Sequence, residues 1–280
     1  MAQLSPPASH RARWATAAYL GAAVLGVNQF LWGTYPAPDG QRSPFSSLMA
    51  TTTTAFGILS LILLTFAVMM TVGAIVAHTR ASRRLSALPH EMPEPEPSLM
   101  TASTPKPPSK RSRLLVSAAT FLTTVGVVAI GILHIYAWNP QSKMPNLSLD
   151  EIYAAMTAAH ELPPDFFSWV WAIFWPLVAL AFGALTVSPV FAQIIRMRGM
   201  LVSGLAIVSL TAGFHWIAGF SMGMGLADTF SVGGGDSASS GPLLGMFGQV
   251  CAVVALFLAI VPRRTNAGRL PEQTTRVVTN

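Results

Sequence analysis

The chain has 280 residues, of which 52% are hydrophobic and only 10% charged, whereas a soluble domain carries roughly a quarter charged residues; an ordinary water-soluble globule is excluded. The net charge of +6 does not indicate nucleic acid, because Lys and Arg stand at the edges of long apolar runs and form no basic patch interleaved with aromatics. Cys251 is the single cysteine, which excludes an internal disulfide and a multi-thiolate metal site.

His10, Arg11 and Arg13 precede the first apolar stretch, residues 14–32. It is longer than the apolar region of a signal peptide and no A-x-A cleavage site follows, so it reads as a retained anchor. A hydrocarbon core of about 30 Å needs roughly 20 mostly apolar residues at about 1.5 Å each. Five more stretches meet that requirement: residues 48–77, 114–138, 166–187, 200–224 and 242–261. None of the six contains Asp, Glu, Lys or Arg. The expected fold is an all-α integral membrane protein with six transmembrane helices.

Lys and Arg resist translocation. With six spans, 15 of the 17 basic residues fall on one face and only Arg42 and Lys143 on the other, which predicts an N-in, C-in topology with both termini cytoplasmic. Seven of the 11 acidic residues lie on the outer side. Trp32 with Tyr35, Tyr136 with Trp138, and Phe166, Phe167, Trp169 and Trp171 mark the outer headgroup level. Arginine outnumbers lysine 14 to 3, a bias that fits a GC-rich bacterial genome and hence a plasma-membrane location.

Residues 1–77 read as a two-helix hairpin and 78–113 as a disordered cytoplasmic linker, since seven prolines and low hydrophobicity cannot support a core. Ser86, after Arg83 and Arg84, is a candidate phosphorylation site there, beside the plainer reading of a solvated linker. Residues 114–262 form a four-helix body, and 263–280 a cytoplasmic tail. Within the outer segment between the third and fourth spans, about 149–161 predicts a short amphipathic helix. Ser148 and Glu151 make a capping box, Leu147 and Ile152 a hydrophobic staple, and Pro163 with Pro164 a stop. Leu149, Ile152, Tyr153, Met156 and His160 share a face, which suits either the membrane surface or a lid over the bundle mouth. The loop 227–241, with GGGDSASSG, has no lysine and no strand before it, so it is no phosphate cradle; it reads as an outer turn.

Three histidines carry the candidate chemistry. His215 shares a face with Gly204, Thr211 and Gly219, and His134 with Gly126 and Gly131, small-residue strips that turn both inward. His134 and His215 are the minimal ligand pair for haem b, although counting from the predicted outer ends places them roughly 6 Å and 13 Å deep. Asn28, Gln29, His134 and His215 are candidates to line a polar cavity open to the outside, the run Thr51 to Thr54 and His160 lying at the same level. His160 and Glu161 begin a zinc-protease pattern, but Pro164 stands where its second histidine belongs; no metal site is expected. Pairs Gly219 with Gly223 and Gly241 with Gly245 predict close approach of the last two spans. No nucleophile elbow and no intramembrane carboxylate occur, which disfavours a hydrolase or an ion-coupled transporter.

These features point to a non-enzymatic, multi-pass accessory or assembly subunit. Its partners are the lipid bilayer and another membrane protein, reached through helix packing and the cytoplasmic loop. The alternatives are a small permease or binder of a periplasmic or outer-leaflet ligand, and a haem b redox protein.

Overall fold

The computed structural model describes residues 6–32, 44–86, 108–162, 166–188 and 196–261, with side chains in the first two segments described at 9–26, 54–80 and 83. In chain order the helices are α1 (Pro6–Trp32), α2 (Pro44–Ser86), α3 (Lys110–Leu133), a π turn (His134–Trp138), α4 (Asn139–Lys143), α5 (Leu149–Ala158), α6 (Phe166–Val187), α7 (Met197–Phe230) and α8 (Ser240–Ile260). There is no strand among the described residues. Five helical stretches there are long and apolar enough to cross a membrane: Thr54–Arg80, Lys110–Lys143, Phe166–Val187, Met197–Phe230 and Ser240–Ile260. The other predicted span lies in α1, where the side chains of 27–32, Asn28 and Gln29 among them, are outside the described residues. Leu115, Leu122, Phe166 and Phe220 are each about two-thirds exposed, an apolar surface in keeping with membrane-spanning helices.

Several helices run past their apolar stretches. Helix α2 continues to Ser86, so the start of the predicted 78–113 linker is helical; Arg80 and Arg83 suit its C-terminal dipole. The centre of that linker and the 263–280 tail are outside the described residues. Helix α7 ends at Phe230 rather than 224, closed by Ser231 in the left-handed region at φ 55°.

Helices α3, α6, α7 and α8 form the body, and its contacts are set by size. A Cβ on Gly131 would come within 2.5 Å of the Trp171 ring, and one on Gly204 would collide with Thr120 Oγ1. On Gly248 it would meet Ala212 Cβ at 2.9 Å, which brings α7 and α8 together. The last two spans do approach closely, as expected, but not through the four glycines that suggested it: Gly219 faces Ile135, Gly223 faces the Gly234 carbonyl, Gly241 faces Asp236 and His134, and Gly245 faces open space. The α1–α2 hairpin leans on the body through α1 against α8, where Trp14 lies between Phe66 and Phe257, 5.9 Å from each.

One end of the bundle gathers arginines onto backbone carbonyls of neighbouring helices. Arg113 Nη1 donates to the Thr186 carbonyl at 3.1 Å. Arg198 Nη2 donates to Val261 O at 2.5 Å and its Nε to Leu258 O, and Arg11 Nη1 donates to Gly73 O at 2.7 Å.

The opposite end is closed by α5, and a proline explains how. Pro140 has no N–H to give Tyr136, so that carbonyl instead accepts the Tyr153 hydroxyl at 2.8 Å. The α5 capping box is formed: the Ser148 N–H donates to Glu151 Oε2 at 2.7 Å, and Glu151 N–H donates to Ser148 Oγ at 3.3 Å. The Ser148 N–H, and then its hydroxyl, hold the exposed Glu151 carboxyl below the ordinary glutamate value. Ile152 and Met156 are fully buried against a cluster that includes Ile135, Met222 and Leu226. Of the two placements the pattern allowed, α5 therefore covers the bundle mouth. His160 does not join that face: it is exposed and ends the helix at φ 61°.

Candidate metal centre

Beneath α5, three elements converge. His134 begins the π turn, His215 lies in the middle of α7, and Asp236 stands in the loop that joins α7 to α8. Their ligating atoms all fall within 4.8 Å of one another. His134 is 2% exposed and His215 3%, and the Asp236 side chain is 14% exposed.

The elements hold these side chains through specific bonds. The π turn adds one residue to a turn of α3, with the Asn139 N–H reaching back to His134 O; such widenings are frequent at functional sites. Helix α6 fixes α7 on both sides of His215, with Trp171 Nε1 donating to Thr211 O at 3.0 Å and Ser168 Oγ to Ala218 O at 2.7 Å. The loop is anchored by Ser237 N–H donating to Asn139 Oδ1 at 2.8 Å and by Lys143 Nζ donating to Gly233 O. Gly241 allows the final approach, because a Cβ there would collide with Asp236 Oδ2 and stand 2.7 Å from His134 Cε1.

Hydrogen bonding assigns the lone pairs. His215 Nδ1 faces the Ala212 carbonyl, which can only accept, so Nδ1 carries the proton and Nε2 is a bare lone pair. That Nε2 is buried without a partner, and so is Asp236 Oδ2. His134 Nδ1 lies 2.8 Å from Ser240 Oγ. His134 Nε2 lies 3.2 Å from Asp236 Oδ1, a contact that either a proton on Nε2 or a cation between the two atoms would satisfy. Orphaned buried acceptors are costly, and a cation satisfies all of them at once. The sequence did not single out this three-residue cluster.

The two histidines face each other, with ring centroids 5.9 Å apart and planes at 73°. The depth mismatch counted from the sequence disappears because α3 continues through the π turn and α4 to Lys143, which buries His134 further than an end at 138 implied. Asp236 Oδ1 stands 3.2 Å from His134 Nε2, on the side of the ring from which a haem iron would bind. Both histidines are buried, and the side chains of Asn28 and Gln29, the other residues of the expected cavity, lie outside the described residues. His160 and Glu161 lie outside the cluster.

Asp236, Ser240, Asn139 and Lys143 are the residues around this cluster that the sequence did not single out. Asp236 was one outer acidic residue in a glycine-rich turn, and its single usable signal was that it precedes Ser240 and Gly241 at the mouth of the last helix. No known protein family, curated protein or solved structure matches the chain, so function has to be argued from this site.

Proposed function

We propose that the protein holds one divalent transition-metal ion on His134 Nε2, His215 Nε2 and an Asp236 carboxylate oxygen. The observation that carries this reading is the bare, buried Nε2 of His215 facing a second imidazole and an unpartnered carboxylate oxygen. Two imidazoles and one carboxylate suit the zinc class of first-row ions, whereas calcium and magnesium require more oxygen ligands. Ser240 supplies the outer hydrogen bond that orients a metal-bound imidazole.

In this reading the chain has six spans, with α1 the additional one and both termini cytoplasmic in a bacterial plasma membrane. The support is that the sequence collects its Lys and Arg at the end bearing Arg11, Arg113 and Arg198. The metal centre then lies near the outer face under α5. The role is that of an accessory or assembly subunit that stores or presents the ion to a membrane partner, without catalysis of its own.

The test is a metal titration of the full-length protein in mild detergent with Zn²⁺, and with Co²⁺ for its visible spectrum. One ion per chain is expected, with a cobalt spectrum that shows nitrogen and oxygen ligation. His215→Ala and Asp236→Asn should each remove stoichiometric binding while keeping helix content. Equal binding by wild type and His215→Ala would overturn the metal reading. A reporter fused after Asn280 and displayed in the periplasm would overturn the sidedness separately.

A further inference from the structure

At the opposite end from the metal centre, a groove of about 370 Å³ opens between α1, α7 and α8. Trp14, Leu201, Val254 and Phe257 line it, and Arg198 and Val261 stand at its end. Every lining side chain except Arg198 is apolar, so water placed inside would find few partners. Helices in a bilayer do not leave such a space empty, because an unfilled void forfeits dispersion contacts along all of its walls.

Arg198 decides what fills it. Its Nε and Nη2 are held by the carbonyls of Leu258 and Val261, which clamps the guanidinium at the end of α8 and leaves the Nη1 edge for another acceptor. Arg13, next to Trp14, and Arg196, at the start of α7, are both exposed and add positive charge at the same level. The groove runs inward from that level along the last turns of α8, which is the direction of an acyl chain below its headgroup.

We infer that the groove seats one acyl chain of an anionic phospholipid, whose phosphate is bound by Arg198. The seat lies where the α1–α2 hairpin meets the four-helix body, since Trp14 also touches Phe66 of α2 and Phe257 of α8. The lipid therefore braces the hairpin against the body.

The experiment uses the full chain in nanodiscs and the quenching of Trp14 emission by brominated lipid, taken as the difference between wild type and Trp14→Phe. One basic side chain at a membrane surface corresponds to about a fivefold preference for an anionic headgroup. Brominated phosphatidylglycerol should reach half-quenching at about one-fifth the mole fraction that brominated phosphatidylcholine needs. Arg198→Gln should erase that preference and Arg198→Lys retain most of it. Val254→Phe, which fills the groove with Arg198 in place, should reduce quenching by both lipids. Equal quenching by the two headgroups in wild type would overturn the inference. So would an undiminished preference in Arg198→Gln, or an equal loss in the glutamine and lysine variants, which would assign the effect to packing rather than charge.

Discussion

Replacing Gly241 by alanine perturbs the proposed metal centre without removing a proposed ligand. The new Cβ would stand 2.7 Å from His134 Cε1 and 2.8 Å from its Nε2, and closer still to Asp236 Oδ2. Carbon atoms pack at about 3.5 Å or more, so the ring or the carboxylate has to move by roughly 0.8 Å. Metal bonds tolerate deviations of about 0.2 Å, and a ligand displaced beyond that costs on the order of 10- to 100-fold in affinity, or about 1.4–2.7 kcal/mol. The metal-free fold should suffer less, because the atoms in the way are side-chain ends and alanine favours helix over glycine by about 1 kcal/mol. The assay is competition with a chromophoric zinc chelator in detergent, alongside thermal unfolding without metal. Wild-type zinc affinity in Gly241→Ala would refute the reasoning, since the atoms it crowds would then not be the ligands.

Ser240→Ala removes the partner of His134 Nδ1 and should weaken zinc binding about 10-fold with little change in helix content, read by the same titration. Gly131→Ala drives a methyl group into the buried Trp171 ring and should destabilise the body by about 1–3 kcal/mol, measured by reversible unfolding in mixed micelles. Ser148→Ala breaks the α5 capping box and should cost about 1 kcal/mol locally, visible as faster amide exchange over 149–158. The Glu151 carboxyl is held below its ordinary value by Ser148, so its contribution to α5 is complete above the ordinary glutamate pKa and is lost as pH falls through the lowered one. Amide exchange corrected for its intrinsic pH dependence should show α5 loosening on acidification, and Glu151→Gln should remove that dependence.

Hydropathy accumulates residue by residue, so the apolar helices were legible without any knowledge of packing. The last helix was predicted at 242–261 and is Ser240–Ile260, and the fourth stretch coincides with Phe166–Val187. Capping is equally local, which is why Ser148 and Glu151 announced α5. The inward faces of His134 and His215 were readable from the small residues beside them, since polar side chains in hydrocarbon turn toward protein.

Convergence was not legible, because it depends on distances that composition does not encode. The pairing of His134 with His215 needed α3 to continue through a π turn into α4, a polar, proline-containing extension that hydropathy assigned to a loop. Gly219 and Gly241 have the same small-residue pattern, yet one packs on Ile135 and the other makes room for a carboxylate. Solvent preference is a property of each residue and so belongs to the sequence alone. The proposed coordination site joins atoms 81 and 21 positions apart, from His134 to His215 and on to Asp236, and only the packing of α3, α7 and α8 brings these side chains together.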